Sequence, residues 1–184
     1  MIKELILWLR RHHPGTVVRL RDFWIQYSCG ALGIVPLSAT LSATLVRCNG
    51  EVRELGIVST HAVTDAFVAA LVDTLQSSVA TFSNYKYHDS GTGTTAEAEA
   101  DTAMETTCGE ARDTGTQVDG AAGAWVYKSV ATHTYAGTFA VTEHGLFNVV
   151  TGGTLMDRSR FTAINVIKDD KIEFTYELTC ASGG

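Results

Sequence analysis

Ile172, Phe174, Tyr176, Leu178 and Cys180 alternate strictly with Glu173, Thr175, Glu177 and Thr179. A period of two sets every apolar side chain of this run on one face and every polar one on the other. A helix would scatter the same residues around its circumference. The run is therefore a strand with one wet face and one buried face, and the buried face requires a second layer to cover it. The segment before it, Phe161–Ile167, is apolar except at Thr162 and Asn165. It reads as a strand buried on both faces. Lys168-Asp169-Asp170-Lys171 joins the two as a charged connection of hairpin length.

Further strand-like runs are Thr16–Leu20, Phe23–Ser28, Leu41–Cys48, Tyr85–Gly91, Phe139–Thr142 and Leu146–Val150. In Trp125–Tyr135, Trp125, Tyr127, Ser129, Ala131, His133 and Tyr135 share a face. Asn49-Gly50 lies between Leu45–Cys48 and Glu51–Glu54, and predicts a type I′ hairpin turn. Gly152-Gly153 predicts another turn, where glycine takes positive φ without steric cost. One longer helix is expected over 63–77, capped by Thr64 or Thr60, with Phe67, Ala70, Leu71, Thr74 and Leu75 as its stripe. Such a helix covers an open end of a sandwich. Residues 92–112, rich in Thr, Ala, Glu and Gly, read as a long surface excursion with room for one helical turn.

These elements predict a mainly β protein, an antiparallel β-sandwich over 55–184 with one helix. Residues 1–54 are expected to form an extension of short helix, strands and the Asn-Gly hairpin, either separate or adding strands to the sandwich edge. Its helix, residues 2–11, carries Ile2, Leu5, Ile6 and Leu9 on one stripe and ends at Pro14-Gly15. At that length it needs a surface to pack on.

The chain has 184 residues, 45% of them hydrophobic, with 17 Gly, 2 Pro and a net charge of −6. That size suits one core, and that charge argues against nucleic acid as a partner. The first 55 residues are basic and the remainder acidic. Cys29, Cys48, Cys108 and Cys180 lack metal-ligand spacing and are expected as free thiols, with Cys180 in the core. The apolar run Ile2–Leu9 precedes its charges, unlike a signal peptide. No run approaches the roughly 18 apolar residues of a membrane span, so no membrane association is expected.

No catalytic or metal-binding pattern stands out, and no cofactor is expected. Glu143 and His144 are neighbours on a strand and point to opposite faces, as do His88 and Asp89. Ser90 lies outside any Gly-x-Ser-x-Gly elbow. Gly91-Thr92-Gly93 lacks the third glycine of a dinucleotide loop. His133 has no ligand partner nearby in sequence, though strand pairing could bring it to His88 or His144. Asp157-Arg158 reads as a structural ion pair, a register device in which the arginine fork holds a carboxylate and loop carbonyls.

Four stretches together resemble a family of small virion structural proteins of tailed bacteriophages. They are Tyr85–Ala96 with its His88-x-x-Gly91-Thr92-Gly93-Thr94, then Thr142–Phe147, then Gly152-Gly153-Thr154-Leu155-Met156-Asp157-Arg158, and last Thr175-Tyr176-Glu177-Leu178-Thr179 with the glycine tail. The resemblance spans roughly Leu55–Gly184. It implies jelly-roll wiring and a non-enzymatic decoration (cement) protein on the capsid surface, assembled in the host cytoplasm. The implied partner is the major capsid protein, with self-association as a dimer or trimer. A tail, neck or fibre-base position is the alternative within the virion. A carbohydrate-binding module is the alternative in another class, with Trp125, Tyr127 and Tyr135 as its aromatic row. Leu5, Ile6, Leu9, Arg10 and Arg11 are the expected assembly contacts, since an apolar stripe followed by cations gains most when covered by another subunit.

Overall fold

The structure is a computed structural model and describes residues 37–61, 63–76, 84–119 and 126–180. Its elements run β1 (Leu37–Val46), β2 (Val52–His61), α1 (Asp65–Gln76), β3 (Tyr87–Gly91), β4 (Asp113–Thr114) and β5 (Thr116–Asp119). They continue with β6 (Val126–Thr134), β7 (Phe139–Phe147), β8 (Leu155–Val166) and β9 (Lys171–Cys180). Two antiparallel sheets result, β2-β1-β9-β6-β5 and β4-β3-β7-β8. This is the expected β-sandwich with one helix. The sheet orders establish the sandwich and not the finer jelly-roll wiring.

β9 occupies the middle of the five-stranded sheet, paired along its length with β1 and β6. Ile172, Phe174, Tyr176 and Leu178 are buried, as their alternation requires. Cys180 ends the strand exposed rather than in the core, because the cover stops short of the last residue. Facing this row are Val141 and Leu146 of β7 and Phe161, Ile164 and Val166 of β8. Phe161 and Phe174 bring their ring centroids to 6.1 Å across the gap.

The two sides of the sandwich close differently. On one side β4 and β5 form a single run that changes sheet at Gly115, pairing first with β3 and then with β6. A Cβ at Gly115 would lie 2.5 Å from Ser129 Oγ and 2.7 Å from His88 Nε2, so only glycine fits this crossing. On the other side β2 and β8 meet edge to edge, where Ser59 Oγ donates to Arg160 O at 3.1 Å. The connection from β8 to β9 is held by Asp170. Its carboxylate accepts from Ile167 N (3.0 Å), Cys48 N (2.7 Å) and Arg47 Nη1 (2.8 Å). The turn of the β1–β2 hairpin and the β8–β9 connection are thereby tied together; that connection, though of hairpin length, crosses from one sheet to the other instead of closing a hairpin.

Helix α1 begins where Thr64 caps it. Thr64 Oγ1 accepts from Phe67 N at 3.2 Å and donates to Leu155 O at 2.6 Å. Phe67 meets the Tyr85 ring edge to face at 5.1 Å. Phe67 joins the core, and with Leu71, Tyr85, Tyr127, Met156 and Leu178 it lines an apolar pocket where the helix covers that end of the sandwich.

Several expectations are corrected. The Asn49-Gly50 turn is not type I′. Gly50 N donates to Arg47 O and Gly50 alone in the turn has positive φ (+88°), giving a three-residue loop that ends in a left-handed glycine. Phe139–Phe147 is one strand rather than two, since Glu143 and Gly145 pair through its middle. The Phe161–Ile167 segment is not buried on both faces. Thr162, Ala163, Asn165 and Ile167 are exposed, because the β7–β8 register shifts at this point and, among the described residues, no layer covers their side. Residues 92–112 contain no helical turn. Of the two arrangements expected for the extension, residues 37–54 take the second: they supply β1 and part of β2 at one edge of the five-stranded sheet.

Candidate functional site

Glu143 and His144 are both fully buried, on opposite faces of β7. Glu143 faces away from the core, toward the loop 92–112, which folds over that side of the four-stranded sheet. Its carboxylate accepts from Gly93 N (3.0 Å), Thr106 N (2.8 Å), Glu105 N (3.2 Å) and Arg158 Nε (2.7 Å). Arg158, on β8, also donates to Asp101 Oδ2 (3.0 Å) and to Thr95 O (3.4 Å), and lies 3.4 Å from Glu105 Oε2. Glu105 in turn accepts from Thr94 N (2.5 Å) and Thr95 N (2.7 Å). One carboxylate and one guanidinium on neighbouring strands thus hold both limbs of the loop. Burial alone would lower the Arg158 pKa, but the bonds to Glu143 and Asp101 outweigh it and raise it. The Glu105 carboxyl is held low by the Thr95 backbone and hydroxyl donors, aided by Thr94 and Arg158.

The backbone fits this clamp closely. A Cβ at Gly93 would lie 2.4 Å from Glu143 Oε1, and one at Gly145 would lie 2.8 Å from Met104 Sδ. Farther along, Arg112 Nε reaches Asp89 Oδ2 at 3.2 Å, and its Nη1 donates to Val149 O (2.9 Å) and Gly152 O (2.6 Å). Its guanidinium lies 3.3 Å over the Phe147 ring. Burial raises the Asp89 carboxyl, and Arg112 offsets part of that rise. Gly152 and Gly153 both take positive φ, as expected of that turn.

The inner face of the same strands carries a polar cluster between the sheets. His88 Nδ1 and His144 Nε2 are 2.9 Å apart, one donating and one accepting, and His88 Nε2 is 2.8 Å from Ser129 Oγ on the opposite sheet. Tyr135 OH donates to Ser90 Oγ at 3.2 Å. Burial, with the positive charge of His133 adding to it, pushes the His88 imidazole down to about 3. His88 is therefore neutral at pH 7. His133 Nδ1 bonds Asp113, and its Nε2 lies 2.8 Å from Glu110 Oε2 without hydrogen-bond alignment.

Asp157 and Arg158 do not form the expected pair. Adjacent strand residues face opposite ways, so Asp157 points inward, where Ser159 Oγ donates to it at 2.8 Å. The Tyr176 phenol is raised well above its ordinary value by burial, and further by Asp157. The arginine does hold carboxylates and a loop carbonyl, but these belong to Glu143, Asp101, Glu105 and Thr95. Sequence reasoning named Glu143 only to set it aside as half of an acid–base pair; its bonds to Arg158 and to the loop are what it did not anticipate. The register shift between Val141 and Glu143 turns the glutamate away from the core that Val141 faces, and nothing in the strand's own alternation marks that shift.

Leu5, Ile6, Leu9, Arg10 and Arg11 lie outside the described residues, as do Cys29, Trp125 and the strand-like runs Thr16–Leu20 and Phe23–Ser28. The remaining members of the aromatic row serve the interior. Tyr135 is fully buried, and the hydroxyl of half-buried Tyr127 donates to Tyr85 O. Cys48, Cys108 and Cys180 are free thiols. Burial pushes the Cys108 thiol up to about 11, which keeps it protonated at neutral pH. Among the described residues no group of three or more His, Cys, Asp or Glu side chains is placed to hold a metal ion. Nor, among them, is any helix long and apolar enough to cross a membrane. Compared with known proteins, the chain matches no family model, no curated protein and no solved structure.

Proposed function

We propose that this chain is a non-enzymatic structural protein of a phage virion, and in particular a decoration protein on the capsid surface. The observation that carries the reading is the clamped loop 92–112. A long segment without helix or extended strand is ordered by a buried carboxylate and guanidinium, while the side chains along its crest, from Thr94 through Ala100, are mostly exposed. A surface held in one shape loses little entropy on docking, which suits a repeated contact on a lattice. Each contact then contributes modestly, and avidity over many sites supplies the strength.

The resemblance of Tyr85–Ala96, Thr142–Phe147 and Gly152–Arg158 to small virion proteins supports the same reading. The proposed partner is the major capsid protein, with the chain self-associating as a dimer or trimer on a symmetry axis of the shell. Jelly-roll wiring, assembly contacts from Leu5, Ile6, Leu9, Arg10 and Arg11, and assembly in the host cytoplasm belong to this proposal. Quantifying the chain in purified particles tests it. A copy number that follows the number of shell subunits supports decoration. A number that follows the symmetry of the neck or tail moves the protein there. Absence from particles overturns the reading.

A further inference from the structure

Among the described residues, the edge where β2 and β8 meet is not closed along its length. Next to the Ser59–Arg160 contact the two strands part, leaving a groove of about 360 Å³. Three register irregularities converge on it. The β1–β2 pairing shifts between Leu41 and Ser42 and again between Ala43 and Thr44, which leaves Val58 and Leu55 as extra residues on β2. The β7–β8 pairing shifts between Val141 and Glu143, which leaves extra residues on β8 around Thr162 and Ala163. Bulges re-aim side chains and end strand pairing. Here they turn Leu55 and Val58 into the groove beside Ile57 and Ile164. Val52, 61% exposed, precedes Arg53 at one end of the lining, and Ile167, 49% exposed, lies two residues beyond Asn165 at the other.

The charge at the rim selects the occupant. Arg47 is committed to Asp170 and Asn165 O. Arg53 lines the groove, is exposed, and has no hydrogen bond or ion pair among the described residues. The chain's own basic stretch around Arg10 and Arg11 would meet Arg53 with the same sign. Ladder pairing is also discouraged, since the bulges interrupt β2 and the β8 carbonyls of Arg160 and Asn165 are taken by Ser59 and Arg47. We infer that the groove between β2 and β8 docks an acidic, apolar segment of a partner protein, whose apolar side chain enters among Leu55, Ile57, Val58 and Ile164 and whose carboxylate meets Arg53. Identifying that partner with the capsid shell rests on the function proposed above; the groove's chemistry does not.

Two arms test this. In the first, NMR follows the purified protein on titration with a short capped peptide carrying phenylalanine beside glutamate, and with its lysine counterpart. The glutamate peptide is expected to shift the amides of Leu55, Ile57, Val58 and Ala163. Arg53→Glu is expected to weaken it about tenfold and to favour the lysine peptide. Ala163→Trp, at an exposed position, is expected to block both. No shift at these amides, or equal binding of the two peptides, overturns the inference. In the second arm, wild type and Ala163→Trp are bound to purified shells. If shells bind both equally, the decoration reading stands and the shell is not the groove's partner, so the peptide arm alone decides the groove inference. If the peptide arm succeeds and shells bind neither, the decoration reading falls and the groove stands. If Ala163→Trp instead abolishes self-association, a second copy is the occupant and the assignment to a partner is overturned.

Discussion

Glu143 and Arg158 face the same side of neighbouring strands, with Oε2 and Nε 2.7 Å apart and both side chains buried. Their remaining polar atoms reach into one loop, so the pair couples the sheet to its cover. Glu143→Ala leaves a buried guanidinium short of its main partner and is expected to cost about 3–5 kcal/mol. Arg158→Lys is expected to be nearly as harmful, since an ammonium cannot reproduce the fork. Chemical denaturation measures the loss, and limited proteolysis should cut first within 92–112.

His88 predicts the acid side of the stability profile. Its folded value of about 3 lies below the ordinary 6.5. The unfolded chain therefore takes up a proton that the folded chain refuses. Stability is full above pH 6.5 and declines by about 1.4 kcal/mol per pH unit as pH falls toward 3. Denaturant melts between pH 7 and 4 should show this slope, and His88→Gln should flatten it.

Asp170 acts in a lower window. Burial would raise its carboxyl, but donors from Ile167 N, Arg47 and Cys48 N more than compensate and hold it at about 2. The stability it confers is present above the unfolded value of 3.8 and is lost as pH falls through about 2. Asp170→Ala is expected to loosen both the β1–β2 turn and the β8–β9 connection. Amide exchange at Cys48 and Ile167, which lose their acceptor, is the direct readout.

Thr64 both caps α1 and ties it to β8. Thr64→Ala removes the side-chain acceptor of Phe67 N, leaving it only the Thr64 carbonyl, and leaves Leu155 O without that donor. The expected loss is about 1–2 kcal/mol. Thr64→Ser should recover most of it, which calorimetry can compare.

The exposed turn residue Asp169 has φ +67°, a region that costs most L-residues energy. Asp169→Asn should be nearly neutral, whereas Asp169→Val should destabilise by about 1–2 kcal/mol by thermal melting.

What the sequence determined by itself is what depends on near neighbours. The alternation of β9, the Thr64 cap and the glycine turn at 152–153 each follow from side chains within a few residues, and each is found where it was read. The opposite facing of Glu143 and His144 belongs with them, because strand parity is a local property. The clamp, the inter-sheet histidines and the open groove do not. Arg158 meets Glu143 rather than Asp157 because strand pairing, not adjacency, brings side chains onto one face. His88 finds His144 and Ser129 only once two strands have paired and two sheets have stacked. The groove exists because bulges on two separate edges fall at the same height, and a bulge leaves no mark on the pattern of one strand alone. Sequence periodicity assigns each strand its buried face; register and bulges decide which distant groups that face will meet.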